Sequence, residues 1–97
     1  MSPFSKYKGK TVVLVHPECP HCLSLKERLT SDGRAPEGVV FLDLTNDEEA
    51  RALAEAFDVR AVPAVFFVTE EDGKTKVCKL DEKMEKVEAC MEVEHEQ

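Results

Sequence analysis

Residues 11–22 read TVVLVHPECPHC, and the change of pattern inside this stretch decides the fold. TVVLV is β-branched or aliphatic throughout, which predicts a strand buried on both faces. From Pro20 the spacing becomes helical, with Cys22, Leu25 and Leu29 at i, i+3 and i+7 on one face. Pro20 suits the first helical position, where its missing N–H costs nothing, so Cys19 falls at or next to the N-cap. Two cysteines therefore sit where a strand hands over to a helix.

Outward from that junction, Asp32-Gly33 is expected to end the helix, with Gly33 in the left-handed C′ position. VVFLDLT (39–45) reads as a second apolar strand. Thr45 and Glu48 have the spacing of a capping box, opening a helix to about Phe57 whose apolar face is Ala50, Leu53, Ala54 and Phe57. AVFFVTE (64–70) and KTKVCKL (74–80) flank Asp72-Gly73, a hairpin signal. Leu80, Met84, Val87 and Met91 recur at i, i+4, i+7 and i+11, which predicts a closing amphipathic helix. The expected class is α/β, in the order β-α-β-α-β-β-α, with a four-stranded mixed sheet and helices on both faces. One domain is expected over 1–97, with 1–9 as an N-terminal arm and 92–97 as a frayed tail.

Composition narrows the function. The chain has 97 residues, 42% of them hydrophobic, and a net charge of −7. That charge argues against nucleic acid or an anionic membrane as a partner, since phosphate binding needs clustered Lys and Arg. No run approaches the roughly 18 apolar residues of a membrane span. The basic start, MSPFSKYKGK, leads only into the short TVVLV segment, so a cytoplasmic monomer is expected. Four cysteines in such a chain fit reactive or metal-bound thiols better than a disulfide framework. Cys78 and Cys90 stand apart from each other and are expected to serve as small hydrophobes, the first in a strand and the second beside the last helix.

The Cys19/Cys22 pair carries the chemistry. A helix N-terminus presents unpaired N–H groups and the positive end of the macrodipole, which stabilise an anion such as a thiolate. Cys22, one turn further in, belongs to the apolar face. One thiol is thus exposed and nucleophilic while its partner is shielded. In a dithiol exchange Cys19 attacks a substrate disulfide and Cys22 resolves the mixed disulfide. No cofactor is needed, because the pair itself carries two electrons. His21 between them favours the thiolate and a more oxidising pair, whereas Glu18 opposes it by like charge.

FDVRAVPAVFF (57–67) places a proline directly before an apolar strand, where it can supply no ladder donor. A cis Val62-Pro63 bond there leaves the backbone groups of Val62 free to pair with an extended substrate beside Cys19. The Cys-Pro-x-Cys motif after strand one, the VRAVP run and the order of elements together resemble the thioredoxin superfamily, from about Thr11 to about Met91. The resemblance implies thiol-disulfide exchange with Cys19 attacking, Cys22 resolving and Pro63 as the facing cis-proline. Val62, Pro20 and Arg60 are the candidate substrate-facing residues. It also implies protein disulfides as substrates and an upstream thiol or disulfide reductase as a partner.

The departures are specific. Thioredoxins have a further N-terminal strand and helix, for which this chain has no room, so its size is nearer that of glutaredoxins. Glu18 stands where thioredoxins have tryptophan, and Val13 where they have a buried acid. Glutaredoxins hold glutathione with a Gly-Gly and Ser/Thr-Asp region that reads CKLDEK here (78–83), leaving Asp81 as its single remnant. Glutathione is therefore not the expected substrate. The Pro-His dipeptide resembles that of strongly oxidising disulfide-forming enzymes, and the expected reduction potential is roughly −250 to −180 mV. Two other readings use the same residues. His16, Cys19, His21 and Cys22 supply four metal-ligand types, though within a backbone run too short for the usual two separated ligand pairs. A purely structural Cys19–Cys22 disulfide would close too short a loop to stabilise much.

Overall fold

The computed structural model describes residues 5–30, 37–81 and 83–93. In chain order it contains a 3-10 turn (Ser5–Tyr7), β1 (Thr11–Val15), α1 (Pro20–Leu29), β2 (Val39–Asp43), α2 (Glu48–Ala56), β3 (Ala64–Glu71), β4 (Lys74–Leu80) and β5 (Val87–Val93). One sheet holds all five strands in the order β2-β1-β3-β4-β5. β1 pairs β2 in parallel, Thr11 opposite Val39, and every other neighbour is antiparallel.

β1 lies inside the sheet, and Val12, Val13 and Leu14 are all fully buried. The continuous apolar run follows from this, since both pleat directions meet core. On one face, Ala50 and Leu53 of α2 pack with Val12, Leu14, Phe66 and Val77. Phe66 is fully buried there, its ring centroid 5.0 Å from that of Phe57. On the other face, Leu25 of α1 packs with Val13 and Val65, and Leu29, Leu80 and Met84 border that cluster. Helices thus cover both faces, as the sequence pattern implies.

The β3–β4 turn is the expected one. Asp72 and Gly73 both have positive φ, 52° and 76°. That is the type I′ pattern, whose twist matches antiparallel strands. The α1 helix stops at Leu29 with Thr30 as its C-cap, before the anticipated Asp32-Gly33 stop, which lies outside the described residues. The Thr45–Glu48 capping box does not form. Asp47 is the N-cap of α2, and Thr45 instead donates its N–H (2.7 Å) and hydroxyl (2.6 Å) to Asp43 Oδ1. The Asp43 carboxylate closes a local turn that competes for the threonine.

The closing helix is replaced by a strand. Residues 87–93 form β5, which makes the sheet five-stranded instead of four-stranded. The Asp81 carboxylate, through Oδ1, accepts the N–H groups of Glu85 (2.8 Å) and Lys86 (3.3 Å), closing a turn at residues where the helix was to begin. Met84 has φ +62°, which a right-handed helix does not permit. Leu80 and Met84 still reach the core beside α1, but Val87 is 61% exposed. The residues assigned to a single helical face belong to a strand end, a turn and an edge strand. β5 buries none of residues 87–92. It is held by its ladder to β4, by Lys79–Glu88 (2.6 Å) and Lys74–Glu92 (3.9 Å), and by a disulfide between Cys78 and Cys90. The two cysteines read as separate hydrophobes are therefore a bonded cross-strand pair, directly opposite in register.

Candidate active site

Cys19 is the N-cap of α1, with extended backbone (φ −96°, ψ 112°), and Pro20 is the first helical residue. At such a position the chain turns so that the cap side chain meets the free N–H groups of the first turn. Here the Cys22 N–H donates to Cys19 Sγ at 3.1 Å. The turn before it is tightened by His16, whose carbonyl accepts from Cys19 N–H (3.1 Å) and whose Nδ1 accepts from Glu18 N–H (3.1 Å). His16 thus shapes the approach to the helix.

The two sulfurs are unequal. Cys19 is half-buried, whereas Cys22 is 1% exposed. Burial, foremost, and then the hydrogen bond and charge of Cys19 push the Cys22 thiol up to about 11, against a partial offset from the His16 backbone. His21 is exposed, as is Pro20. Val13 is fully buried in the sheet. Cys22 is among the residues lining a cleft of about 220 Å³, together with His16, Lys26 and Asp43.

The Val62-Pro63 bond is cis. The Cys19 thiol donates to the Val62 carbonyl at 3.5 Å, so the loop before β3 faces the cysteine directly. Pro63 and Arg60 line a larger cleft of about 390 Å³ together with Lys79, Asp81 and Glu88. Arg60 is held outward by both carboxylate oxygens of Asp58, at 3.0 and 3.4 Å. The structure therefore brings Cys19, Cys22 and Val62 together, places Pro63 and Arg60 along the adjoining cleft, and leaves Pro20 and His21 on the exposed first turn. Among the described residues, no three His, Cys, Asp or Glu side chains cluster so as to hold a metal ion.

Lys79 and Glu88 were not foreseen as cleft residues, and Asp81 was singled out only as the remnant of a glutathione-holding region. Their place depends on β4 and on the turn that replaces the last helix, and no local spacing announces it. Arranged this way, the site offers an accessible sulfur that accepts an N–H, a shielded sulfur one turn behind it, and a carbonyl edge next to a cleft. That combination suits exchange at sulfur.

The sequence model of the glutaredoxin family matches residues 4–71. No curated protein and no solved structure matches the chain.

Proposed function

Because the chain belongs to the glutaredoxin family, we propose that it is a thiol-disulfide oxidoreductase acting on protein disulfides through Cys19 and Cys22. The observation that carries this reading is the inequality of the two sulfurs across one helical turn, with the half-buried one facing Val62.

The Cys19 thiolate attacks one sulfur of a substrate disulfide. A Cys19–substrate mixed disulfide forms and the other substrate sulfur leaves as a thiolate. The Cys22 thiolate then attacks Cys19 Sγ, releasing the second substrate thiolate and leaving a Cys19–Cys22 disulfide. Two electrons have passed to the substrate. An upstream thiol donor reverses the last step to regenerate the dithiol, and the same path run backwards oxidises a substrate.

The raised Cys22 pKa has a role in this order of events. After burial, two of its causes are the hydrogen bond and the charge from Cys19. Both change once Cys19 is bonded to substrate, so Cys22 surrenders its proton more readily at the step where it is needed. The cleft carrying His16, Lys26 and Asp43 gives that proton a route out.

Val62 and the cleft beyond Pro63 are the proposed substrate edge, with Arg60 at the cleft and Pro20 on the first helical turn. An extended segment beside Val62 would pair with its backbone as an added strand does. Asp81 lines the cleft, but its Oδ1 is engaged by its own turn, which supports protein disulfides over glutathione as substrates. The proposed setting is the cytoplasm, where dithiols are kept reduced.

The test is reduction of an insulin-type disulfide by the Cys19→Ser and Cys22→Ser variants. Loss of turnover in the first and a trapped mixed disulfide in the second are expected. Equal activity in both would falsify the assigned roles.

A further inference from the structure

The Cys78–Cys90 bond lies outside the site just described, and its surroundings differ from those of a buried staple. Cys78 alternates with Val77, which packs in the cluster beneath α2, so Cys78 points to the opposite face, that of α1. The exposure of its neighbours shows that this part of the face is open. Phe67, directly opposite Cys78 on β3, is 38% exposed, and Val87 at the start of β5 is 61% exposed. Cys90 itself is exposed and Cys78 half-buried. β5 contributes none of residues 87–92 to the core, so opening the bond leaves both core clusters intact.

We propose that Cys78–Cys90 is a second thiol-disulfide exchange site, one that a protein dithiol reduces in the folded molecule, and that its reduction loosens β5 from the sheet. A donor thiolate attacks the exposed Cys90 sulfur. The Cys78–Cys90 bond breaks, a donor–Cys90 disulfide forms, and Cys78 leaves as a thiolate that takes a proton from water. The donor's second thiolate attacks its own sulfur in the mixed disulfide, which frees Cys90 and leaves the donor as a disulfide. Two electrons have moved from donor to pair. Reoxidation is the reverse, favoured by the register that holds the two residues opposite each other.

The donor is a separate molecule. Cys19 touches Val62, whereas Cys78 lies across from Phe67, five residues further along the chain and into β3. At strand rise that displacement is roughly 16 Å, beyond the reach of a thiol in the same chain. The Cys19/Cys22 dithiol of a second copy has the required chemistry.

The test begins with the oxidised chain in dithiothreitol without denaturant, followed by alkylation and peptide mapping. Alkylation at both Cys78 and Cys90 while the circular dichroism remains native is expected. Alkylation only after denaturant is added would overturn the proposal and leave the Cys19/Cys22 reading untouched. Hydrogen exchange then reads β5: amides of residues 87–93 should exchange about tenfold faster or more after reduction. Unchanged exchange would overturn the loosening of β5. In the last arm, reduced chain carrying Cys78→Ser and Cys90→Ser is mixed with oxidised Cys19→Ser/Cys22→Ser chain. Appearance of thiols at Cys78 and Cys90 supports a second copy as donor. If dithiothreitol opens the pair and this donor does not, the second copy is rejected as the donor.

Discussion

The two cysteine pairs reach proximity by opposite routes. Cys19 and Cys22 are neighbours because one helical turn makes them so, and the helix end sets their environments apart. Cys78 and Cys90, at a sequence separation of 12, meet through the register of two strands. In the first pair one sulfur is half-buried and the other nearly sealed, with a thiol pushed up to about 11. In the second, both sulfurs share one uncovered face of the sheet. Unequal burial assigns an attacker and a resolver within the chain. A pair already bonded to each other, with neither sulfur sealed in the core, leaves the initiative to an outside thiol.

The largest test of this contrast is Cys19→Ser, which should reduce disulfide turnover by roughly 10³-fold or more, to the background rate. Cys22→Ser should instead accumulate a mixed disulfide at Cys19, visible by intact-mass measurement. If Cys22 also accumulated adducts in the Cys19→Ser chain at a comparable rate, the inequality of the first pair would not matter. Next in size is the stability held by the second pair. Replacing Cys78 and Cys90 together by serine should cost about 3 kcal/mol relative to the oxidised chain, by the entropy of the loop that the bond closes. Urea unfolding reads this directly, and a loss below about 1 kcal/mol would mean that the β4–β5 ladder alone holds the edge.

The pH dependence sharpens the first pair. Cys22 is raised from 9.0 to about 11 in the folded chain. The folded state therefore keeps a proton that the unfolded state releases, so this contribution to stability is full below about 9 and lost as pH rises through about 11. Stability read by urea unfolding should fall over that range in the reduced wild-type chain and fall less in Cys22→Ser; identical slopes would remove the burial argument. The smallest effect is expected at His21. His21→Pro should lower the reduction potential of the Cys19/Cys22 pair by roughly 30 mV, tenfold in the exchange constant, in a glutathione redox buffer. An unchanged potential would show that this exposed imidazole does not tune the site.

What could be read from sequence was what local physics decides. The β1–α1 junction, the Cys19 N-cap and the Asp72-Gly73 turn all depend on residues within a few positions of one another. The cis Val62-Pro63 bond was also legible, from a proline placed where a strand wants a donor. Residues 80–91 were not. Leu80, Met84, Val87 and Met91 satisfy a helical period, yet Val87, Ala89, Met91 and Val93 satisfy a strand period as well. The choice falls to β4, an edge available for pairing, and to the Asp81 turn with Met84 at positive φ. The Cys78–Cys90 bond was hidden for the same reason, because it exists only once that register is set. At Thr45, the nearby Asp43 carboxylate competed successfully for a side chain whose spacing suited a cap.

The strand order has a consequence for how the chain assembles. β3, β4 and β5 form a meander, each strand pairing with the one before it through a short turn. β1 must instead find β2 across an intervening helix and β3 across more than half the chain, with Leu14 opposite Ala64. Near contacts close faster than distant ones, and hairpins form in about 1–10 μs. The meander is therefore expected to form before β1 docks and seals Cys22. Acid-quenched alkylation during oxidative refolding should find Cys78–Cys90 as the first bond, and early bonds from either of these residues to Cys19 or Cys22 would contradict that sequence of events. Topology thereby sorts four identical thiols into two couples during folding, before any sulfur has had to recognise its partner.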